Sequence, residues 1–161
     1  MAISTETRRS DRYACDGVQT AFPFAFKVFA AGEIGVVVSI DGVEESTLSS
    51  DLYSVSLNED QDNSPGGTVN LLTAPATGTV LVVVSNVAYE QPIVFTNQGG
   101  FYPDLLNEGY DRSTILAQQL NEKLERALIV PVTSEKTPQE TMTEILDVAD
   151  KANEKSEGQA V

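Results

Sequence analysis

The sequence contains no histidine, no tryptophan and a single cysteine among its 161 residues. Without histidine, the chain lacks the imidazole on which Ser-His-Asp and Cys-His catalysis and many zinc sites depend. With one thiol, it can form neither an internal disulfide nor a thiolate metal cage. Cys15 has no histidine to take its proton and is expected to be a small apolar residue in a strand. We therefore expect no enzymatic activity and no catalytic, cofactor-binding or metal-binding residues.

Basic residues and long apolar runs are also scarce. Ten Lys and Arg face 24 Asp and Glu, which gives a formal net charge of -14 and a pI near 4.1. Phosphate backbones and anionic lipids recruit proteins through a local excess of Lys and Arg. The longest apolar run, residues 80–84, falls far short of the ~18 to 20 residues of a membrane span. We therefore expect neither nucleic acid nor membrane as a partner, and synthesis in the cytosol.

The residues up to position 101 are predicted to form an antiparallel β domain. Aromatic residues alternate over residues 22–26, the period of a half-buried strand, and Pro23 on the other face favours a sheet edge. Short turns without a helical crossover indicate a small antiparallel sandwich or barrel. Residues 13–101 carry ten acidic residues against Lys27 alone, a net charge of -9. Further strands are predicted at residues 35–40, 51–57, 68–72 and 79–87, with an Asp41-Gly42 turn and a return strand from Val43.

From residue 102 the apolar period changes from two to three and four residues. Pro103 suits the first turn of a helix that is expected to end before Pro131. One helix face carries positions spaced 4, 3, 4, 3, 4, 3, which we call the seam: Leu106, Tyr110, Ser113, Ala117, Leu120, Leu124 and Ala127. Three heptads with this spacing are typical of a coiled coil, and Leu105, Ile115 and Leu116 are expected to widen the seam. We predict that the helix packs partly on the β domain and partly against copies of itself.

A second helix is predicted to follow. Thr137 is its expected N-cap, Pro138 its first helical residue, and Glu140 completes a capping box. Its thin apolar face repeats at 4, 3, 4 through Met142, Leu146, Ala149 and Asn153. A helix with so few large apolar residues can hardly fold alone, so we predict a coiled-coil-like segment.

The other polar clusters in the sequence have structural explanations. The loop at residues 58–64 alternates oxygen ligands but lacks the glycine and closing glutamate of a calcium loop, so a solvated hairpin tip explains it better. Glu44 and Glu45 are adjacent on a strand and point to opposite faces, which argues against a carboxylate pair for glycoside hydrolysis. Three arginines near the N-terminus are expected to lie on a flexible arm.

Several stretches, in this order along the chain, resemble a known family. They are Asp16-Gly17, Gln19 to Phe26, Asp51 to Val55, Gly66-Gly67-Thr68-Val69, Thr73 to Ala76 with Gly78, Asn97-Gln98-Gly99-Gly100-Phe101-Tyr102-Pro103, Asn107-Glu108, Asp111-Arg112, Thr114, Gln118-Gln119-Leu120, and Arg126-Ala127-Leu128 to Pro131. Together, residues 11–131 resemble the N-terminal, virion-anchoring domains of tail fibre and tailspike proteins in short-tailed (podovirus-type) bacteriophages, the T7-like tail fibre family.

The resemblance implies a homotrimeric structural module of the virion tail, made in the host cytoplasm. Its β domain would bind tail tube proteins on the adaptor, nozzle or portal side, and its helix would lead into the fibre. In the family a long receptor-binding or depolymerase region usually follows, whereas this sequence stops at Val161. We therefore expect an adaptor to which a separate distal tail fibre or tailspike protein attaches.

The expected adaptor has four parts: a flexible N-terminal arm (residues 1–11), an antiparallel tail-anchoring domain (12–101), a trimerising helix (102–131), and a linker with a fibre-attachment helix (132–161). Two alternatives stay open. One is a receptor- or carbohydrate-binding β module acting in host adsorption, in which Tyr53, Tyr89 and Tyr102 would stack on sugars. The other is a depolymerase that uses carboxylates.

Overall fold

The structure, a computed structural model, describes residues 3–40, 44–95, 100, 102–129, 133 and 135–157, and of residues 153–157 the backbone alone. The chain forms two compact units, Met1–Glu122 and Lys123–Val161. The strands all lie in the first unit: β1 (Tyr13–Ala14), β2 (Ala21–Phe24), β3 (Ile34–Ile40), β4 (Glu44–Thr47), β5 (Tyr53–Leu57), β6 (Gly67–Leu71) and β7 (Thr79–Ser85). The helices are α1 (Pro103–Glu125) and α2 (Pro138–Glu157).

The strands form two antiparallel sheets. One has four strands in the order β1-β7-β3-β4, and the other has three in the order β2-β6-β5. The pairing of β3 with β7 runs over the full length of both strands, from Ile34 opposite Ser85 to Ile40 opposite Thr79. The antiparallel pairing confirms that part of the prediction. Two sheets and two helices make this a mixed α and β fold, which is a coarser description than the predicted sandwich or barrel.

One hydrophobic core contains residues from both sheets. Phe22, Phe24 and Phe26 are buried in it, as their alternation predicts. Pro23 is exposed, and its strand β2 is at the edge of the three-stranded sheet, as its missing N–H favours. Cys15 follows β1 directly and is buried in the same core as a free thiol. Burial and the neighbouring carboxylate of Asp16 raise the pKa of that thiol.

The N-terminal segment differs from the predicted flexible arm, because residues 8–15 run along β7. Arg9 forms an antiparallel bridge with Val84, and the N–H of Ser10 donates to the carbonyl of Val83 at 2.8 Å. The two-residue strand β1 leaves most of the β7 edge open, and an open edge gains hydrogen bonds by pairing with the preceding chain. The charged composition of this segment concealed its pairing.

Arg8 is the most buried charged residue of this segment, with 1% of its surface exposed. Its guanidinium donates to the carbonyl of Lys27 at 2.9 Å and lies 5.6 Å from the ring centroid of Phe26. Burial lowers the pKa of Arg8 to about 10, so the side chain stays charged at neutral pH. Arg8 therefore fixes the N-terminal segment against the core.

Both predicted helices are present. The N–H of Glu140 donates to Thr137 Oγ1 at 3.3 Å, and the N–H of Thr137 donates to Glu140 Oε2 at 2.7 Å. This reciprocal pair confirms the capping box, with Pro138 as the first helical residue. Within the described ranges, no helix is both long and apolar enough to cross a membrane. Pro131 and the predicted turn at residues 41–43 lie outside the described residues.

Candidate interaction surfaces

Within the first unit, α1 presents two opposite faces. Asp111, Ile115 and Gln119 are its buried residues and form what we call the docking face. An α-helix turns once every 3.6 residues. The seam positions, which are spaced 4 and 3 from residue 106, therefore lie on the side of α1 opposite the docking face. There the seam is largely uncovered: Tyr110 is 71% and Leu120 50% exposed, Leu106 is half-buried, and Ser113 and Ala117 are exposed.

Gln119 holds the docking face to the end of β7. Its Oε1 accepts hydrogen bonds from Ser85 Oγ at 2.9 Å and from the N–H of Val87 at 3.0 Å. Its Nε2 donates to the carbonyl of Val87 at 3.1 Å. All three partners are buried, so one amide completes the hydrogen bonding of a strand end that water does not reach.

Two ion pairs anchor the N-terminal half of the docking face. Lys27 Nζ lies 2.7 Å from Asp111 Oδ2 and 2.5 Å from Asp62 Oδ1. Burial disfavours the charged ammonium, but the hydrogen bonds to both carboxylates, together with their negative charges, outweigh burial and raise the pKa of Lys27. The hydrogen bond from Lys27 lowers the pKa of Asp62. Lys27, the sole basic residue between positions 13 and 101, therefore joins the acidic loop to α1.

The second ion pair joins Arg112 to Glu33 at 3.2 Å, with the Arg112 guanidinium 4.6 Å from the ring centroid of Phe29. The same helix also contacts the N-terminal segment, since Gln118 Nε2 donates to the carbonyl of Thr5 at 3.0 Å. These ion pairs and hydrogen bonds thus hold α1 to the strands and to the N-terminal segment.

Ile115 is a correction to the sequence interpretation. The heptad pattern predicts that Ile115 widens the seam, but Ile115 is fully buried on the docking face, between Asp111 and Gln119. The physical reason is its position on the helix. Residue 115 lies five positions after Tyr110, which places it about 140° around the helix axis from the seam residue Tyr110. Sequence reasoning also missed Asp111 and Gln119, because polar residues on a helix are normally assigned to the solvent side. Their spacing of four residues around Ile115 was the available signal.

The other predicted site residues lie in several places. Leu124 and Ala127, in the second unit, are exposed, as are Met142, Leu146 and Ala149 of α2. The side chain of Asn153 lies outside the described residues, as do Asn97, Gln98, Gly99 and Phe101 of the family motif. Of the remaining motif residues, Gly100 and Tyr102 are exposed and Pro103 is the first residue of α1. The structure leaves a trimer and a fibre-attachment role as predictions.

The acidic loop and the three tyrosines have specific surroundings. Asp60 accepts hydrogen bonds from the backbone N–H groups of Asp62 and Asn63, at 3.0 and 2.9 Å, so its carboxylate closes its own loop. Tyr53 is half-buried and donates from its hydroxyl to the carbonyl of Ile34 at 3.0 Å. Because of this contact, Tyr53 does not belong with the tyrosines that could stack on a sugar. Tyr89 and Tyr102 are 54% and 61% exposed.

An apolar groove of about 620 Å³ opens between the two sheets at one end of the core. Its apolar lining includes Val38, Ile40, Leu48, Leu52, Leu71 and Leu72, and Glu44 and Glu45 also border it. Ile40 and Leu72 are each 72% exposed. Alternation along β3 places Ile40 on the core-facing side, but it does not show where the second sheet stops covering that side, so the groove cannot be predicted from the sequence pattern.

No family model matches the chain. It is similar to the tail spike protein of Salmonella phage epsilon15, with 30% identity over 133 residues. The similarity takes in 81% of this chain, and the chain spans about 12% of the length of that tail spike protein. This similarity supports a relationship to phage tail fibre and tailspike proteins. A bacteriophage tail structural protein, present in the virion, is the class that sequence and similarity together indicate.

Proposed function

We propose that this chain is a non-enzymatic virion protein that anchors a receptor-binding fibre or tailspike to the phage tail. The first unit binds tail tube proteins, the seam of α1 assembles three copies, and α2 continues toward a distal fibre or tailspike protein. Host attachment is then the task of that distal protein.

The two-faced α1 is the observation that carries the proposal. Its docking face bonds to the β domain through Asp111 and Gln119, and the adjacent Arg112 pairs with Glu33. Its seam still exposes Tyr110 and Leu120 at heptad spacing. A helix that is already held on one side and keeps an apolar stripe on the other is built to pack against further copies.

The extent of the similarity to the tail spike protein gives further support. A segment that makes up about 12% of a tail spike protein corresponds to 81% of this chain. The shared segment is therefore too small to carry all the functions of a tail spike protein. Attachment to the virion is a task that a small shared module can perform for many different distal regions.

The acidic surface of the β domain suits a basic socket on the tail. Residues 13–101 carry a net charge of -9, and Lys27 is paired to Asp62 and Asp111. Complementary charge raises the rate of encounter and rejects wrong partners. We expect the contacted tail protein to present Lys and Arg on the matching surface.

The seam is tested by introducing Leu120→Asp and Leu124→Asp together. We expect light scattering to report a trimer for the wild-type chain and a monomer for the double variant, because unpaired buried charges oppose a packed seam. The far-UV circular dichroism of the β domain should be retained. The matched control is Asn107→Asp with Thr114→Asp, which adds charge at exposed positions of the same helix outside both faces and should stay trimeric.

A wild-type monomer at micromolar concentration, or a double variant that remains a trimer, would contradict the seam. Labelled antibodies against the chain, viewed on intact virions by electron microscopy, test the anchor itself. Label at the tail is expected. Label elsewhere, or a virion that retains its fibres when this protein is deleted, would contradict an anchoring role.

A further inference from the structure

The apolar groove is an uncovered part of the core surface in the first unit. Ile34 and Val36 of β3 are buried in the core, and residues two apart in a strand share a face. Val38 and Ile40 therefore lie on the core-facing side as well, yet Val38 is half-buried and Ile40 is 72% exposed. The apolar layer continues beyond the cover that the second sheet provides.

In the part of the chain that the structure describes, the strand beside the groove has an open hydrogen-bonding edge. Among the described residues, β4 is the last strand of the four-stranded sheet. The N–H of Leu48 donates to the carbonyl of Val36 at 2.8 Å, which makes this a hydrogen-bonded pair. In an antiparallel ladder such pairs alternate, so the backbone groups of Glu45 and Thr47 point away from β3. An extended chain can bond to them.

The charge at this edge selects the kind of chain that fits. Glu44 and Glu45 both border the groove and are both exposed. An arriving strand that carries Lys or Arg finds opposite charges across from it, whereas an acidic strand is repelled. The -9 charge of residues 13–101 acts in the same direction.

A second copy of this chain fits the edge poorly. Pairing β4 with β4 of another copy would bring Glu44 and Glu45 against the same acidic residues, which destabilises a pair of strands. Of the three N-terminal arginines, Arg8 is buried, Arg9 contacts Glu122 at 3.5 Å, and Arg12 lines a pocket together with Glu45 of its own chain. The occupant is therefore a different protein.

We infer that β4 and the apolar groove bind an extended segment of a partner protein, in which apolar residues alternate and Lys or Arg residues flank them. The segment adds a strand to the outer edge of β4 through the backbone of Glu45 and Thr47. Its alternate apolar side chains enter the groove against Ile40 and Leu72. This mode is β-strand addition, in which backbone bonds hold the segment and the groove and charges select it. The inference does not depend on the proposed anchoring role.

The test uses the full chain and short synthetic peptides in which Val and Thr alternate between flanking lysines. Fluorescence anisotropy of the labelled peptide measures the affinity. The lysine-flanked peptide should bind about tenfold or more tightly than a glutamate-flanked peptide, and than a peptide of the same composition with the alternation scrambled. Exchange of both acids, Glu44→Lys with Glu45→Lys, should reverse the preference between the lysine and glutamate peptides.

Two variants with matched controls locate the site. Ile40→Asp should weaken binding about tenfold or more, whereas Val18→Asp, at an apolar position 80% exposed outside the groove lining, should leave it within about twofold. Thr47→Pro removes an outward N–H without breaking a bond to β3 and should also weaken binding, whereas Thr47→Val keeps that N–H and should not. Circular dichroism confirms that each variant is folded.

Several results would overturn the inference. One is equal binding of the lysine-flanked and glutamate-flanked peptides, or absence of binding by both. Another is an unchanged affinity in Ile40→Asp and Thr47→Pro when both are folded. A third is a lower oligomeric mass in Ile40→Asp without peptide binding to the wild type, which would assign the groove to a second copy.

Discussion

The ammonium nitrogen of Lys27 lies 2.7 Å from Oδ2 of Asp111, and this contact joins the loop after β2 to the buried face of α1. Asp111 is 8% exposed, so its carboxylate lies buried beside this partner. Asp62 shares the same ammonium group. The position of the helix on the β domain, and with it the orientation of the seam, rests in part on one lysine.

Replacing that lysine, Lys27→Met, should destabilise the chain strongly. The substitution leaves the Asp111 carboxylate buried without its cation, a situation that costs on the order of 3 kcal/mol or more. Urea denaturation of the variant measures this loss. The matched control is Arg9→Met, because the Arg9 side chain is 47% exposed where it contacts Glu122, and exposed pairs contribute about 1 kcal/mol or less. Equal losses in the two variants would contradict a structural role for Lys27.

Gln119→Met tests the polar attachment of α1 to β7. Methionine has a similar volume but makes none of the three hydrogen bonds to Ser85 and Val87. Each buried group left without a partner costs about 1 to 3 kcal/mol, so the free energy of unfolding should fall by about 3 kcal/mol. Asn107→Met, on an exposed position of the same helix, should change it by about 0.5 kcal/mol or less. Similar values for the two variants would refute this attachment.

Local patterns predicted the elements well. Alternation at Phe22, Phe24 and Phe26 places a strand and its buried face, and the Thr137 to Glu140 pattern places a helix start, because both signals act within a few residues. The N-terminal pairing along β7 could not be predicted in this way. It depends on an edge that is formed by residues about 70 positions further along the chain.

The faces of α1 show the same limit in the candidate site. Heptad spacing defines a helix face that contains Tyr110 and Leu120, which are both exposed, but it does not say which face of the helix meets the β domain. The prediction that Ile115 lies beside the seam is wrong, because Ile115 is buried on the docking face. The residues that carry the family resemblance include Asp111, Arg112 and Gln119, and all three make contacts that hold α1 to the β domain. This part of the resemblance therefore consists of residues that attach α1 to the β domain.

Gly66 gives a prediction about backbone conformation. Its φ of +106° is rarely adopted by other residues, and an added Cβ would lie 2.0 Å from the carbonyl oxygen of Phe24. Gly66→Ala should therefore destabilise the chain by well over the roughly 1 to 2 kcal/mol that left-handed backbone costs a residue with a Cβ. Gly78→Ala is the matched control, since φ there is +92° but nothing lies within 4 Å of the added Cβ. Chemical denaturation should give the larger loss at Gly66, and a larger loss at Gly78 would contradict the close approach.

The turn at Asp16 predicts a dependence of stability on pH. Its Oδ1 accepts hydrogen bonds from the N–H groups of Gln19 at 2.8 Å and Val18 at 2.9 Å, which lower the pKa of Asp16 below its ordinary value. Because the folded pKa is the lower one, this stabilisation is present above the ordinary pKa of about 4 and is lost as pH falls through the folded value. Asp16→Asn keeps an acceptor oxygen but no charge. We expect the wild type to be the more stable of the two at neutral pH in urea titrations, and the difference to shrink in acid.

Asp16→Ala, which lacks the acceptor oxygen, is the control and should remain less stable than Asp16→Asn at every pH. A wild-type advantage over Asp16→Asn that does not change with pH would contradict the role of the charge.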